Sequence, residues 1–134
     1  MSRVLIVDDD AEIGWLSEAL LQIAGHTTAV AADGAEGYLK LTDFRPDVVL
    51  LDVEMPVLDG PGMMKRMLVE DCGRENIPVV LVSGVAELAQ LAAQVGTPYF
   101  LEKPVSGDQL QSVVSRALEE RRPPRPSLGE VRQP

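Results

Sequence analysis

Apolar runs and polar gaps follow one another along this chain in a pattern that predicts strands. Short, continuous apolar runs at residues 4–7, 48–51 and 79–82 are typical of parallel strands that are covered on both faces. Residues 26–32 and 99–101 predict two further strands, the first of them weaker and edge-like. The pattern therefore predicts five strands, and the run at 48–51 is expected to be the most buried.

Apolar residues at helical spacing lie between and after these strands. The first helix carries a stripe of Ile13, Leu16, Leu20 and Ile23, which we expect to face the core, and Gly25 ends it. Four more helices are predicted around residues 35–41, 63–68, 86–95 and 110–118. The strict alternation predicts an α/β fold, a doubly wound five-stranded parallel sheet with helices on both faces and right-handed crossovers.

Length and composition place the chain among ordinary globular domains. It has 134 residues, 46% of them hydrophobic and 25% charged, and its single cysteine, Cys72, excludes an internal disulfide. No apolar run approaches the ~20 residues that span a bilayer, and the acids at residues 8–10 come too early for a signal peptide. We expect a cytoplasmic protein without membrane contact, with one domain over residues 1–121 and a disordered Arg/Pro-rich tail over 122–134.

The charge is unevenly distributed. The net charge of the chain is −9. Residues 121–134 carry four arginines and Glu130, a charge of +3, so residues 1–120 carry −12. An acidic body is a poor match for a nucleic-acid backbone. We therefore expect no direct nucleic-acid binding.

Polar residues stand where the predicted strands end. Asp8 and Asp9 end the first strand, Asp52 the third and Ser83 the fourth, and Lys103 follows the fifth. Because neighbouring strands lie ~5 Å apart, these side chains are expected to converge on one pocket at the carboxyl edge of the sheet. Three carboxylates repel one another unless a cation compensates them, and an oxygen-only ligand set suits Mg²⁺.

This set of side chains permits attack of a carboxylate on phosphorus, which gives an aspartyl phosphate. Asp52 is the best nucleophile because its central strand places it between the Asp8–Asp9 pair and Lys103. A metal ion and Lys103 would stabilise charge on the transferred group, and Ser83 would donate a hydrogen bond to it. Helix capping would explain isolated aspartates at strand ends, but not the lysine and serine beside them.

Residues 2–121 resemble the receiver domains of two-component response regulators. The segments that carry the resemblance are residues 4–9, 51–56 with Asp59 and Gly60, 82–84 and 100–104. The resemblance implies a flavodoxin-like sheet with strand order 2-1-3-4-5. It also implies that Asp52 takes its phosphoryl group from a phosphohistidine on a sensor histidine kinase or a phosphotransfer protein.

The resemblance also assigns roles to individual residues. It implies Mg²⁺ coordination by Asp9, Asp52 and the main-chain carbonyl of Glu54, with Asp8 bound mainly through water. Ser83 and Lys103 would contact the phosphoryl group. Ser83 and Phe100 would form the switch, with the Phe100 ring turning inward, while strand alternation points Tyr99 to the opposite side.

Several neighbouring residues receive lesser roles. Asp10 is interpreted as a helix N-terminal acid rather than a metal ligand. Trp15 lies outside the first helix's stripe and is expected to face solvent, where with Ile13 and Leu16 it would help to dock the kinase. Glu54 and apolar Val85 flank the acceptor site and predict slow self-dephosphorylation.

Two functional possibilities remain open, and a third, from another class, is discounted. The leading hypothesis is a stand-alone receiver that is no enzyme beyond its own phosphorylation and dephosphorylation. It would signal to a protein partner, or dimerise, through the surface of the fourth helix, fifth strand and fifth helix. The alternative is a receiver fragment of a larger regulator or hybrid kinase. A haloacid-dehalogenase-type phosphatase is disfavoured, because that family needs its nucleophile on the first strand and an aspartate where this chain has Glu54.

Overall fold

A computed structural model describes residues 2–52, 71–72, 76–84, 86 and 88–125, and the structural statements below concern these residues. Within them the chain forms five strands and four helices. In chain order these are β1 (Arg3–Val7), α1 (Ala11–Ile23), β2 (Thr27–Ala31), α2 (Gly34–Asp43), β3 (Val48–Asp52), β4 (Val79–Ser83), α3 (Leu88–Val95), β5 (Tyr99–Glu102) and α4 (Gly107–Glu120). The helix predicted around residues 63–68 lies outside the described residues, so α3 and α4 are the fourth and fifth predicted helices.

The five strands form one parallel sheet with the order β2-β1-β3-β4-β5, which confirms the predicted fold. The register sets the carboxyl ends of the strands side by side. Val7 pairs with both Ala31 and Leu51, and Leu51 pairs with Leu81. Asp8 and Asp52, each one residue further along, therefore reach the same edge of the sheet.

The core lies on both faces of the sheet. Every residue of β3 is buried, as the continuous apolar run predicts. On one face, Leu5, Val49 and Leu81 pack with residues of α3; on the other, Ile6, Leu50 and Val80 pack with residues of α1 and α4. The sheet is thus covered on both sides, which leaves its strand ends as the place where polar side chains can be held close together.

The predicted core stripe of α1 is wrong in part. The helix buries Gly14 and Leu21, whereas Leu16 is 60% and Ile23 81% exposed. A Cβ atom at Gly14 would lie only 3.3 Å from Cγ1 of Val30, so the helix approaches β2 at its glycine. This close approach turns Leu16 and Ile23 away from the sheet. Helical spacing identified the helix but not the face that it buries.

The second helix uses its glycines in the same way. It buries Gly34 and Gly37, and a Cβ atom at Gly37 would lie 3.0 Å from Cγ2 of Val7. Tyr38 and Leu39 are consequently exposed. Both early helices therefore lie close to the sheet and carry large apolar side chains on their outer surfaces.

Residues 121–125 follow α4 and remain in contact with the domain. Pro123 and Pro124 are buried, and the Arg125 amide donates a hydrogen bond to the Gly96 carbonyl at 2.9 Å. The tail was predicted to be disordered from residue 122 because it had little to bury; residues 122–125 instead bury two proline rings. Residues 126–134 lie outside the described residues.

None of the helices in the described part of the chain combines the length and the apolar character needed to cross a membrane.

Candidate functional site

Asp52 occupies the carboxyl end of the central strand β3 and is only 3% exposed. The strand is held between β1 and β4, and Asp52 itself pairs with Val82 of β4. The backbone that carries this carboxylate is held by β4 at Asp52 and by both neighbouring strands at Leu51. It therefore has little freedom to move away from the groups that surround it.

Asp8 and Asp9 lie beside Asp52 in the loop between β1 and α1. The Asp8 amide extends the ladder by donating to the Ala31 carbonyl at 3.0 Å, and the Asp10 amide donates to Oδ1 of Asp8 at 2.9 Å. Oδ1 of Asp10 accepts hydrogen bonds from the amides of Glu12 and Ile13. Asp10 thus caps α1, as its interpretation as a helix N-terminal acid predicted.

The three carboxylates of Asp8, Asp9 and Asp52 form one cluster. Each offers an oxygen atom, and these atoms all lie within 4.8 Å of one another. Burial, together with the nearby charge of Asp52, raises the pKa of Asp8 to about 6 in the absence of a metal ion, even though the Asp10 amide acts in the opposite direction. A cluster that is electrostatically unfavourable alone, and built from hard oxygen donors, fits a divalent cation such as Mg²⁺.

Lys103 adds a positive charge beside Asp52. Its Nζ lies 3.2 Å from Oδ2 of Asp52, and its amide donates to the Ser83 carbonyl at 2.9 Å. The hydrogen bond to Ser83 continues the pairing of β4 with β5, so the position of the lysine is set by the sheet. One lysine offsets one of three carboxylate charges, which leaves room for a cation at Asp8 and Asp9.

Ser83 ends β4 and is fully buried next to the strand that carries Asp52. The structure therefore gathers five of the predicted site residues at one edge of the sheet: Asp8, Asp9, Asp52, Ser83 and Lys103. Glu54 and Val85, which were predicted to contribute a main-chain ligand and to flank the site, lie outside the described residues.

The fifth strand alternates as predicted. Tyr99 is buried, and Phe100 points to the other face, where it is exposed. The Tyr99 hydroxyl donates to Oε1 of Glu120 at 3.0 Å and accepts a longer bond, 3.4 Å, from the Arg122 amide. Sequence reasoning missed this contact with the end of α4.

The outer surface of α1 next to the acids is apolar. Ile13, Trp15 and Leu16 are all exposed, as expected for Trp15 but not for Ile13 and Leu16, which the predicted stripe turned toward the core. A cavity of about 360 Å³ extends from Asp8, Asp52 and Lys103 between α1 and α4 and is lined on the helix side by Ile13, Leu16 and Leu20. The acidic pocket thus opens beside an apolar surface.

These features define a class of protein. The model of the response regulator receiver domain family matches residues 4–115, and the chain belongs to this family of two-component signal-transduction domains. Among its relatives, sporulation initiation phosphotransferase F of Bacillus subtilis is 35% identical over 118 residues, which cover 87% of this chain and 93% of that protein.

Longer proteins and solved structures give the same result. The transcriptional regulatory protein PrrA of Mycobacterium tuberculosis is 34% identical over 121 residues, 89% of this chain but 51% of PrrA, so the chain spans about half the length of that relative. The structure of the Vibrio cholerae chemotaxis protein CheY4 superimposes with a TM-score of 0.75 at 31% identity, covering 87% of this chain and 98% of CheY4.

Proposed function

We propose that the chain is a phosphorylation switch in which Asp52 accepts a phosphoryl group from the phosphohistidine of a sensor histidine kinase or a phosphotransfer protein. The observation that carries this proposal is the 3.2 Å contact between Nζ of Lys103 and Oδ2 of Asp52, a carboxylate that forms one cluster with two further acids. A cation beside a confined carboxylate is what phosphoryl transfer to that carboxylate requires.

The transfer is a displacement at phosphorus. An oxygen of Asp52 forms a bond to phosphorus while the bond between phosphorus and the donor imidazole nitrogen breaks, and the bonding electron pair stays on that nitrogen. Because the phosphohistidine reacts with its other ring nitrogen protonated, the products are an acyl phosphate on Asp52 and a neutral histidine on the donor. Lys103 then pairs with a phosphoryl oxygen, and the Ser83 hydroxyl donates a hydrogen bond to another.

Asp9, Asp52 and the main-chain carbonyl of Glu54 would hold Mg²⁺, with Asp8 bound mainly through water. The ion supplies charge compensation for the transferred phosphoryl oxygens. The acid cluster and the raised pKa of Asp8 support this assignment.

The output of the switch is a binding event. Phosphorylation favours one arrangement of Ser83 and Phe100, and a protein partner or a second copy then binds the surface of α3, β5 and α4. The exposed Ile13, Trp15 and Leu16 next to the acids suit the docking of a kinase or phosphotransfer protein. The chain is cytoplasmic, binds no nucleic acid itself and catalyses no reaction other than its own phosphorylation and dephosphorylation.

The stand-alone receiver is our leading proposal, and phosphotransferase F, which the similarity covers to 93%, is a relative of that length. The alternative is a receiver that works within a larger regulator or hybrid kinase, which the half-length match to PrrA supports.

Incubation with acetyl phosphate and Mg²⁺ tests the proposal. We expect the intact protein to gain the mass of one phosphoryl group, and we expect Asp52→Asn, the matched control, to gain none. Omission of Mg²⁺ should abolish the gain. If the protein instead hydrolysed phosphate monoesters over many turnovers, without a stable adduct on Asp52, the proposed switch would be wrong and the protein would be a phosphatase.

A further inference from the structure

The chain reverses direction where α4 ends. Arg121 caps the helix in the left-handed conformation, with φ 52°, and its amide donates to the Ala117 carbonyl. Two prolines follow shortly after, and they cannot continue a helix. Residues 121–125, here called the strap, consequently turn back across the domain instead of extending along the axis of α4.

The strap is fixed against the loop that leads from α3 into β5. The Arg125 amide donates to the Gly96 carbonyl, and the Arg122 amide donates to the Tyr99 hydroxyl. A Cβ atom built at Gly96 would lie 1.6 Å from the carbonyl oxygen of Arg125, so only glycine permits this approach of the two backbones. Within the strap, Pro123 and Pro124 are buried, while the three arginines are exposed.

The strap and the acidic site contact opposite ends of the same short strand. Tyr99 begins β5, and Lys103 follows its last residue at a distance of roughly 13 Å along the chain. Lys103 forms the ion pair with Asp52 at one end, and the Tyr99 hydroxyl joins the strap to Glu120 at the other. A change in how rigidly β5 is held therefore affects both the acidic site and the strap.

We propose that the strap is a docked conformational latch whose docking is coupled through β5 to the phosphoryl group on Asp52. The coupling rests on the proposed function, whereas the docking of the strap does not. Release of the strap would expose the buried prolines and the Gly96 loop at one end of the α3–β5–α4 surface.

The direction of the coupling depends on how rigidly β5 is held. A phosphoryl group carries more negative charge than the carboxylate that it modifies, so it holds Lys103, and with it the end of β5, more firmly. Docking of the strap on an already ordered strand costs less conformational entropy, which makes the two events mutually favourable. Phosphorylation is therefore expected to tighten the strap.

Trypsin measures strap docking at a single bond. Arg121–Arg122 is cleavable, whereas Arg122–Pro123 and Arg125–Pro126 resist cleavage because proline follows. Cleavage needs the strap to leave the domain, so its rate tracks the open population. Mass spectrometry identifies the product that ends at Arg121.

Two glycine variants separate the steric contact from backbone strain. Gly96→Ala introduces both a left-handed alanine, at φ 79°, and a clash with Arg125, whereas Gly25→Ala introduces only the left-handed alanine, at φ 98°, with nothing within 4 Å. We expect Gly96→Ala to speed cleavage by about tenfold, equivalent to 1.4 kcal/mol of docking free energy. Gly25→Ala should match the wild type. Equal cleavage rates for the wild type, Gly96→Ala and Gly25→Ala would show that the strap is not docked.

Addition of acetyl phosphate and Mg²⁺ tests the coupling. We expect slower cleavage of Arg121–Arg122 in the wild type, by severalfold, and no change in Asp52→Asn. If mass spectrometry shows phosphorylated Asp52 but the cleavage rate is unchanged or faster, the coupling is wrong and the proposed function stands. If no phosphorylation occurs, the proposed function and the coupling fail together, while the glycine variants still decide whether the strap docks.

Discussion

Asp8 lies in surroundings that disfavour its own charge. It is 5% exposed, close to Asp52, and its pKa rises from 3.8 to about 6. Between these two values the folded protein binds a proton that the unfolded chain has lost, so stability falls as the pH rises through this range. Above about pH 6 the ionised Asp8 carboxylate lowers the stability of the metal-free fold.

We therefore expect Asp8→Asn to stabilise the metal-free protein at pH 7.5 by roughly 1–2 kcal/mol, since one pKa unit corresponds to about 1.4 kcal/mol and the cluster shares part of the effect. The gain should shrink as the pH is lowered toward 4. Urea denaturation with a chelator present measures it, and Glu119→Gln, an exposed acid on α4, serves as the control. A less stable Asp8→Asn at pH 7.5 would contradict this electrostatic account.

Cys72 is buried and, unlike Asp8, stays uncharged at neutral pH. Burial, assisted by the charge of Asp71, raises the pKa of its thiol to about 12. The reactive thiolate is therefore almost absent at pH 8. We expect a thiol reagent such as Ellman's reagent to label Cys72 only when the protein unfolds, whereas a cysteine placed at the exposed position Gln22 should react at once. Rapid labelling of the native wild type would show that Cys72 is accessible.

At the scale of the element, α1 shows how the face of a helix is decided. Apolar residues occupy most of its circumference, so their spacing fits more than one orientation. Gly14 decides between them, because a residue without a side chain allows the helix backbone to lie close to Val30. The remaining apolar residues, Leu16 and Ile23, then face outward.

Two substitutions on α1 distinguish the two orientations. Leu21 is fully buried, and we expect Leu21→Ala to lower the free energy of unfolding by about 2–5 kcal/mol. Ile23→Gln should change it by less than about 0.5 kcal/mol, because the side chain is exposed. Chemical denaturation of both variants measures the difference. A large loss of unfolding free energy in Ile23→Gln would instead support the helix orientation that the sequence spacing predicted.

At the scale of the whole molecule, the fold and most of the site could be predicted from the sequence. Buried parallel strands have a distinctive continuous apolar pattern, and Asp8, Asp9, Asp52, Ser83 and Lys103 follow directly at their ends, where the sheet register brings them together. The arrangement of the site depends only on the parallel strands and on which residues follow them. The apolar runs and the residues after them are therefore enough to predict it from the sequence.

Features that depend on long-range packing were not predictable in the same way. The orientation of α1 depends on contact with β2, and the position of residues 122–125 depends on Gly96, which reads in sequence only as the end of a helix. The bond between Tyr99 and Glu120 joins residues far apart in the chain. A proline-rich segment after the last helix resembles a disordered tail until its partner surface is known.

The central claim is that Asp52 is the phosphoryl acceptor. An acyl phosphate on an aspartate is reduced by borohydride to homoserine, which marks the acceptor permanently. After incubation with acetyl phosphate and Mg²⁺ followed by reduction, peptide mass spectrometry should find homoserine at position 52 and at no other position. Aspartate retained at 52, or homoserine at Asp8 or Asp9 instead, would contradict the account.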